Sequence, residues 1–424
     1  MRVNLDLGID HLSRIEGHGN IRIRVEEGKV VEAGWDVVEP PRFFEVMLKG
    51  KHYTSAGILT ARICGICSIG HCLASIRATE QAFGLTVPPA AAKLRLLAKH
   101  GETLQSHWLH LFFLAAPDFL GVPSVLPLLE SDPGIIHLAR RLRGLGNRLS
   151  EAVAGRTTHP VSLQVGGVSA MPTKEKFVAL RNELQLSLEE INAAVRLCAG
   201  FAIPAFARET EFVSLQGDAD YPWIGGGMIS TDGVKQPEEE YRAMTNEYLD
   251  SRNTSKWCRL SRPSFAVGAL ARCNNNYHLL HPEAAAAAKH FGLAPVCHNP
   301  FMNNLAQLVE CIHVSHDAIR LIDELLQDHS APTMTRVTPR AGRGVGAVEV
   351  PRGILYHSYC YDRDGYLVSA DCVIPTTQNN ANIHLDLPVL VQQFAANGTN
   401  DAELARLCAM LVRSYDPCVS CSVH

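Results

Sequence analysis

The chain has 424 residues, of which 46% are hydrophobic and 19% are charged, and its formal net charge at pH 7 is −4. This composition can bury a sizeable core as one large domain or two interlocked ones, and the acidic balance argues against nucleic acid as the main partner. Thirteen cysteines, an odd number without short regular spacing, exclude a secreted disulfide framework. The expected location is therefore the reducing cytoplasm.

The N-terminal segment predicts a β-hairpin. Residues 21–25 alternate apolar and polar side chains, a Glu-Gly pair at 27–28 supplies a turn, and residues 30–38 return. The preceding stretch SRIEGH (residues 13–18), taken alone, is typical of a strand lead-in with solvated charges. Two prolines at 40–41 then break the chain before RFFE (residues 42–45), and a lone Glu in such a turn is usually a surface residue.

Residues 62–71 read RICGICSIGH and place two thiols, Cys64 and Cys67, three positions apart with His71 following. This spacing suits one soft metal ion, but redox dithiols and zinc knuckles share it. Residues 68–83 predict a helix that ends at Gly84, so Cys67 would lie at the helix N-terminus. The helix dipole there lowers the pKa of a thiol and favours the thiolate that a metal needs.

Hydrophobic residues at helical spacing predict further long helices at about residues 90–116, 135–154, 173–202 and 304–327. His107 and His110 share one face of the first helix, and His313 and His316 lie on the last. Because no carboxylate stands at the spacing of zinc-protease helices, these histidines are interpreted as packing or surface residues. Residues 109–129 are the most apolar region, but Asp118 and three prolines interrupt it, so no membrane span is predicted.

From residue 344 the periodicity changes to strands at about 346–350, 353–361 and 366–374, and a final helix follows at 401–414. The predicted fold class is α+β and predominantly helical, with a core of long helices and small β-hairpins or sheets near the N-terminus and in the last quarter. Residues 1–60 would form an N-terminal hairpin region, 61–335 the helical core, and 336–424 a β-rich segment with a C-terminal helix and a metal-binding tail. All three would make one integrated globular unit.

The end of the chain, DPCVSCSVH at residues 416–424, repeats the pattern of two cysteines followed by a histidine. Four cysteines in two pairs predict a tetrathiolate site for zinc, iron–sulfur or another soft metal. Closing so long a loop costs about 5 kcal/mol, whereas a structural tetrathiolate zinc site supplies about 10–16 kcal/mol. The two ends of the chain can therefore meet at one metal, and a metal held in this way more often carries chemistry than structure.

The pair of motifs, RxCGxCxxxH near the start and DPCxxCxxH at the end, resembles the two signatures of nickel–iron hydrogenase large subunits. The segments RIEGH (14–18), EVPRG (349–353) and PTT (375–377) match further family segments, and the chain is most similar to the cytosolic, bidirectional members. The resemblance implies a nickel ion held by four thiolates, with an iron that carries carbon monoxide and two cyanides. The four ligands would be Cys64, Cys67, Cys418 and Cys421, with Cys67 and Cys421 bridging to the iron.

The resemblance also assigns roles around the metals. Glu16 would pass protons beside a nickel-bound thiolate, and Cys418 would share in taking the proton. Arg352 would bond a diatomic iron ligand and help polarise H2, and Asp416 would bond Arg352.

Three further residues near the metals, and a second ion, follow from the same resemblance. Pro351 and Thr376 belong to two loops over the metals, in one of which a hydroxyl bonds a cyanide. His71 would donate a hydrogen bond to a cysteine sulfur. A magnesium-type ion would be held by Glu45, the backbone carbonyl of Cys372, and His424.

The implied function is the catalytic subunit of a hydrogenase, which interconverts H2 with protons and electrons. Splitting H2 into a hydride and a proton needs a Lewis acid with a base beside it. The remaining cysteines lack a ferredoxin pattern, so electrons would leave through an iron–sulfur small subunit, with further electron-transfer subunits beyond it. In the family, residues 155–160 lie toward that partner, and Arg156 and His159 are candidates for tuning the electron exit. Two alternatives stay open: an H2-sensing regulatory hydrogenase and a non-catalytic tetrathiolate zinc scaffold.

Overall fold

The computed structural model describes residues 4–424, so residues 1–3 of the predicted N-terminal region lie outside the described residues. The protein is predominantly helical with small sheets, as predicted. The helices within residues 4–424 are α1 (Phe44–Leu48), α2 (Tyr53–Thr60), α3 (Ser68–Phe83), α4 (Pro89–Leu109), α5 (Ala116–Phe119), α6 (Leu128–Ser131), α7 (Pro133–Ala154), α8 (Lys174–Cys198), α9 (Tyr241–Thr245), α10 (Ala269–Asn276), α11 (Pro282–His290), α12 (Asn303–Gln327), α13 (Pro375–Ala396), α14 (Asp401–Ser414) and α15 (Val419–Ser422).

The strands form separate small sheets. Three neighbouring strands, β1 to β3, make the N-terminal antiparallel sheet, and β10 to β12 make a second one. A third sheet has the order β8-β7-β6-β9, in which β6 and β9 are parallel, and β4 pairs with β5. Their bounds are β1 (Leu5–Ile9), β2 (Gly19–Glu26), β3 (Lys29–Val37), β4 (Leu163–Gln164), β5 (Gly167–Val168), β6 (Glu211–Leu215), β7 (Met228–Ser230), β8 (Lys235–Gln236), β9 (Phe265–Ala266), β10 (Gly342–Val350), β11 (Gly353–Tyr361) and β12 (Leu367–Val373).

Most elements lie where the periodicity predicted them. The hairpin is β2–β3, in which Ile21 pairs with Trp35, and β1 adds a strand that had no predicted counterpart. The helix predicted at residues 90–116 begins as α4 but continues as a π-helical turn, His110–Ala115, before α5. In the helical core α4 packs against α7 and α12, and α8 packs against both of these as well. One buried hydrophobic cluster includes residues of all three predicted segments, while the division into segments stays a prediction.

A glycine seam joins α3 to β10. Gly342, Gly344 and Gly346 all point to the same side of β10, because alternate residues of a strand share a face. They lie against the backbone of α3 at Ala82, Ala78 and Ala74, and an added Cβ would overlap that backbone at each position. The helix that carries Cys67 and His71 therefore packs main chain against main chain on the strand that leads to Arg352.

A buried ion network fixes the turn after β10. The Arg272 guanidinium donates to Glu310 (2.6 and 2.7 Å) and to Glu349 (2.9 Å), and all three side chains are fully buried. Burial acts to raise the pKa of Glu310, but the charge and hydrogen bonds of Arg272 outweigh it, so the pKa is lowered. Arg272 also donates to the carbonyls of Val350 and Pro351, next to Arg352.

The interpretation of residues 375–377 as a loop is wrong, because they form the first turn of α13. Asparagines in the next turns give the sequence a weak helical signal, but here they bond to surrounding elements. Asn379 bonds both backbone groups of Val267, and Asn380 accepts from the Trp35 indole. Pro375 occupies the first helical position, where a missing N–H costs nothing. Tertiary hydrogen bonds thus override the local propensity.

Among the helices between residues 4 and 424, none combines the length and the hydrophobicity needed to cross a lipid bilayer.

We expect Gly344→Ala to destabilise the protein by about 1–3 kcal/mol, because its Cβ would overlap the backbone of α3 and force the helix away from β10. The measurement is the free energy of unfolding in denaturant. Gly8→Ala is the matched control: Gly8 also lies in a strand, but a Cβ there meets nothing within 4 Å. An equal loss of unfolding free energy in the two variants would contradict the close main-chain packing between α3 and β10.

Candidate metal centre

Four cysteine sulfurs from the two ends of the chain converge in the interior. Cys64 and Cys67 precede α3, and Cys418 and Cys421 flank or lie within α15. The Sγ atoms of Cys64 and Cys418 are 3.7 Å apart. The ligand atoms of Cys64, Cys418 and Cys421 lie within 4.8 Å of one another, and so do those of Cys67, His71 and Cys421. The donor set is soft and buried, which fits nickel, iron or zinc.

The structure records Cys418 and Cys421 as a disulfide, with Cα atoms 5.4 Å apart, and Cys64 and Cys67 as free thiols. Metal ligation by all four residues requires each of them as a thiolate. The two states are alternatives for the same pair of adjacent sulfurs, and the charge of Arg352 favours the thiolate form of Cys64 and Cys67.

Of the two thiols in the first cysteine pair, Cys64 is the one whose pKa is lowered. Its sulfur accepts the N–H groups of Ile66 (3.3 Å) and Cys67 (3.4 Å). The pKa of Cys64 is lowered chiefly by a hydrogen bond from the Cys67 thiol, with a contribution from the Arg352 charge. The pKa of Cys67 is raised instead, because that hydrogen bond and burial both oppose its ionisation. The sequence had assigned the lowered pKa to Cys67; the hydrogen bond between the two thiols lowers the pKa of Cys64 instead.

Glu16 lies against the second cysteine pair. Its backbone forms a bridge with Cys418, and its Oε2 lies 3.1 Å from the Cys418 Sγ. The same oxygen accepts the Ser420 N–H (3.1 Å), and Oε1 accepts the Ser420 hydroxyl. A carboxylate held at hydrogen-bond distance from a ligand sulfur can receive or deliver a proton there.

Arg352 is buried beside the sulfurs. Its Nε donates to the Asp416 carbonyl (2.6 Å) and its Nη2 to the Asp416 carboxylate (2.9 Å). Burial acts to lower the pKa of Arg352, but the charges of Asp416, Cys64 and Cys67 outweigh it and raise the pKa. Its Nη1 is buried and has no hydrogen-bond partner among residues 4–424. A fixed cation with one free donor thus lies where it can meet a small ligand.

The two predicted loops lie close to this arginine and to the tail. The carbonyl of Pro351 accepts from Arg272 at 3.2 Å. The Thr376 hydroxyl accepts the Cys418 N–H at 3.0 Å, which leaves its own O–H free to donate. Thr376 therefore joins the N-terminus of α13 to the tail that carries the second pair of cysteines.

His71 follows the first pair on α3. Its Nδ1 lies 3.2 Å from Nε2 of His357, whose Nδ1 in turn contacts the Tyr359 hydroxyl at 2.7 Å. Burial lowers the pKa of His71 well below its usual value, so the ring is neutral. A neutral imidazole close to Cys67 and Cys421 can either donate to a sulfur or accept from a neighbour.

The three residues predicted for the second ion also come together. His424 Nε2 lies 2.8 Å from the Cys372 carbonyl and 3.6 Å from Glu45 Oε1, and Glu45 Oε1 accepts the Cys372 N–H at 2.7 Å. Nearby, Glu247 has one buried carboxylate oxygen without a partner, and burial raises its pKa. Oxygen ligands with an unsatisfied carboxylate fit a hard divalent cation.

Sequence reasoning missed the residues that tie the two motifs together. Arg42 Nη2 donates to the carbonyls of Ile63 (2.8 Å) and Ser420 (2.5 Å), one beside each cysteine pair. Ser420 also anchors Glu16, as described above. A signal existed for Ser420, since it stands between the two ligands of the tail. No local pattern marks Arg42, because both of its partners are backbone carbonyls.

Comparison with known proteins gives a consistent result. A family model described as nickel-dependent hydrogenase matches residues 42–134 and 218–424, and one described as HoxL-like matches residues 6–39. The chain is 31% identical to the alpha chain of sulfhydrogenase 2 of Pyrococcus furiosus, over 98% of each chain. It is 29% identical to the beta chain of the NAD-reducing hydrogenase HoxS of Cupriavidus necator, over 99% of this chain and 94% of that one.

The fold is similar to that of a solved chain from an NAD+-reducing [NiFe]-hydrogenase in the H2-reduced state. The TM-score is 0.90 and the sequence identity 29%, and the alignment covers 99% of each chain.

Proposed function

Since the chain belongs to the nickel-dependent hydrogenase family, we propose that Cys64, Cys67, Cys418 and Cys421 hold its nickel–iron centre and that Glu16 and Arg352 act beside it. The chain is the catalytic subunit of a hydrogenase, an oxidoreductase that acts on H2. The reaction is the reversible heterolytic cleavage of H2. The observation that carries the proposal is the convergence of the four buried sulfurs, with a carboxylate and a guanidinium against them.

The metals, when bound, supply the Lewis acid that polarises H2. The protein residues supply the base, the fixed positive charge and the exclusion of water. All four cysteines are buried, and so are Arg352, Asp416 and Thr376. The resemblance to the family implies carbon monoxide and two cyanides as iron ligands, and the Nη1 of Arg352 and the hydroxyl of Thr376 are free donors that could bond such small ligands.

The proton leaves through Glu16. The 3.1 Å contact between its carboxylate and the Cys418 sulfur allows transfer in one step, without a bridging water. Its two contacts with Ser420 fix the carboxylate toward the cluster.

A divalent ion of the magnesium type binds at Glu45, the Cys372 carbonyl and His424. The ion would join the end of the chain to β12 and α1, close to the tail that carries two metal ligands. Its role is structural, because none of its three ligands contacts the sulfur cluster except through the backbone of the tail.

An iron–sulfur small subunit takes the electrons and docks at the cavity beside His159, in the cytoplasm. The cavity has a volume of about 460 Å³ and a rim of exposed apolar residues, Ile58, Val161 and Met334. The backbone N–H of His159 donates to the hydroxyl of Ser68 at 2.9 Å, and Ser68 is the residue after Cys67. A partner seated there would bring its nearest cluster close to the sulfurs, and further electron-transfer subunits would follow it.

We expect metal analysis to find nickel and iron in equal amounts, and infrared spectra to show bands of carbonyl and cyanide stretching. Cys64→Ser and Cys418→Ser should lose nickel together with these bands, because a hydroxyl is a poor ligand for a soft metal. Cys360→Ser, a part-exposed cysteine outside the cluster, is the control. Zinc alone would contradict the proposal, and full metals with very slow turnover would indicate an H2 sensor instead.

We expect Glu16→Gln to lower the rate of H2 oxidation by about 10²–10⁴-fold, because the amide cannot carry a proton. Metal content and infrared bands should be unchanged, since Glu16 is not a ligand. The measurements are H2 oxidation in solution and metal analysis of the same preparation. Glu26→Gln, an exposed carboxylate at the end of β2, is the control. Unchanged turnover in Glu16→Gln would exclude this proton route.

We expect Val161→Asp and Ile58→Asp to weaken binding of the small subunit, because each places a charge in an apolar rim. The loss expected for a well-packed anchor is about 2 kcal/mol or more. Co-purification and sedimentation measure it. Leu186→Asp, which is more exposed (75%) but lies on α8, is the control. Binding weakened equally by all three substitutions would count against this surface.

A further inference from the structure

A buried hydrogen-bond chain runs from Asp416 into the helical core. Gln307 Nε2 donates to Asp416 Oδ2 (3.2 Å), and Gln307 Oε1 lies 2.6 Å from His110 Nδ1. His110 Nε2 lies 2.8 Å from the Arg413 carbonyl. We propose that Gln307 and His110 are positioning residues for the reaction, which hold Asp416 and through it Arg352. The inference rests on the proposed role of Arg352.

Arg352 depends on Asp416 for its position. Within residues 4–424, both hydrogen bonds of its guanidinium to protein go to Asp416, one to the carbonyl and one to the carboxylate. The remaining Nη1 stays buried without a protein partner. Any displacement of Asp416 is therefore passed on to the guanidinium, since no other side chain in that range holds it.

Asp416 in turn needs support. Its φ is +50°, a left-handed conformation that residues other than glycine adopt at a cost. Its N–H donates to the Arg413 carbonyl at 2.8 Å, the same carbonyl that His110 contacts. His110 therefore fixes the turn from Arg413 to Asp416, while Gln307 fixes the carboxylate.

The Asp416 carboxylate sets the orientation of the Gln307 amide. The Asp416 carboxylate, paired with Arg352, has only acceptors, so Gln307 must present its amide N–H₂ to it. The amide oxygen of Gln307 then faces His110 Nδ1, and a carbonyl faces His110 Nε2. The chain therefore presents an amide donor to Asp416.

The spacing of residues on the two facing helices also agrees with a contact between His110 and Gln307. His107 and His110 are one turn apart on the α4 side, and they meet Glu310 and Gln307, one turn apart on α12. The His107 pair belongs to the structural network of Arg272. The His110 pair lies where α4 turns into the π-helical segment, and such insertions are frequent at functional sites.

The test uses the assembled enzyme and Gln307→Glu, which keeps the shape of the side chain but places a second carboxylate against Asp416. Gln307→Leu removes both hydrogen bonds. We expect both to lower kcat by about 10–100-fold, because the guanidinium is misplaced, with KM for H2 changed by less than about twofold. Crystal structures of the two variants should show Arg352 displaced.

Two controls separate the outcomes. His313→Gln removes a buried histidine from α12 that bonds only the His281 N–H, and measures the cost of a structural loss. Arg352→Lys tests the proposed role of the arginine itself.

An unmoved Arg352 and an unchanged kcat in Gln307→Glu would overturn the inference, even if Arg352→Lys is inactive. A loss of activity in Gln307→Glu that only follows the fall in Tm, as in His313→Gln, would also overturn it, because the role would be structural. An active Arg352→Lys would instead overturn the proposed function of the arginine.

Discussion

The structure depends on the meeting of two chain ends inside a hydrophobic core. Bringing four sulfurs together, with those of Cys64, Cys418 and Cys421 within 4.8 Å of one another, concentrates groups that share negative charge when ionised, and burial makes that charge costly. The protein offsets the cost with fixed cations and donors. Arg352 lies beside the cluster, backbone N–H groups point at Cys64, and Arg42 ties the carbonyls next to each pair.

These supports come from several small elements. The ion network of Arg272 holds the turn that carries Arg352, and the first turn of α13 holds the tail through Thr376. Glu16 comes from the segment before the N-terminal hairpin, and Asp416 from the turn after α14. The helical core supplies Gln307 and His110 behind Asp416. Several separate elements of the predominantly helical fold thus contribute contacts to a single pocket.

Much of this could be predicted from the sequence, because the cysteine pairs and the hydrophobic periods are local patterns. The bounds of α3 and α14, and the β2–β3 hairpin, follow from such patterns. Long-range hydrogen bonds leave no such pattern. Such bonds stabilise the asparagine-rich first turns of α13 as a helix, and they hold Arg42 between two carbonyls. His110, interpreted from the sequence as a packing or surface residue, also has a specific hydrogen-bond partner. The pKa order of Cys64 and Cys67 also depends on where individual N–H groups point.

The glycine seam between α3 and β10 has a consequence for electron transfer. Main chain lies directly on main chain at Gly342, Gly344 and Gly346, and none of these residues has a side chain that could change rotamer when the charge of the pocket changes. We therefore expect this part of the contact between α3 and β10 to resist displacement as electrons come and go. A frame of this kind keeps the reorganisation energy small, since its dipoles are already oriented before each transfer.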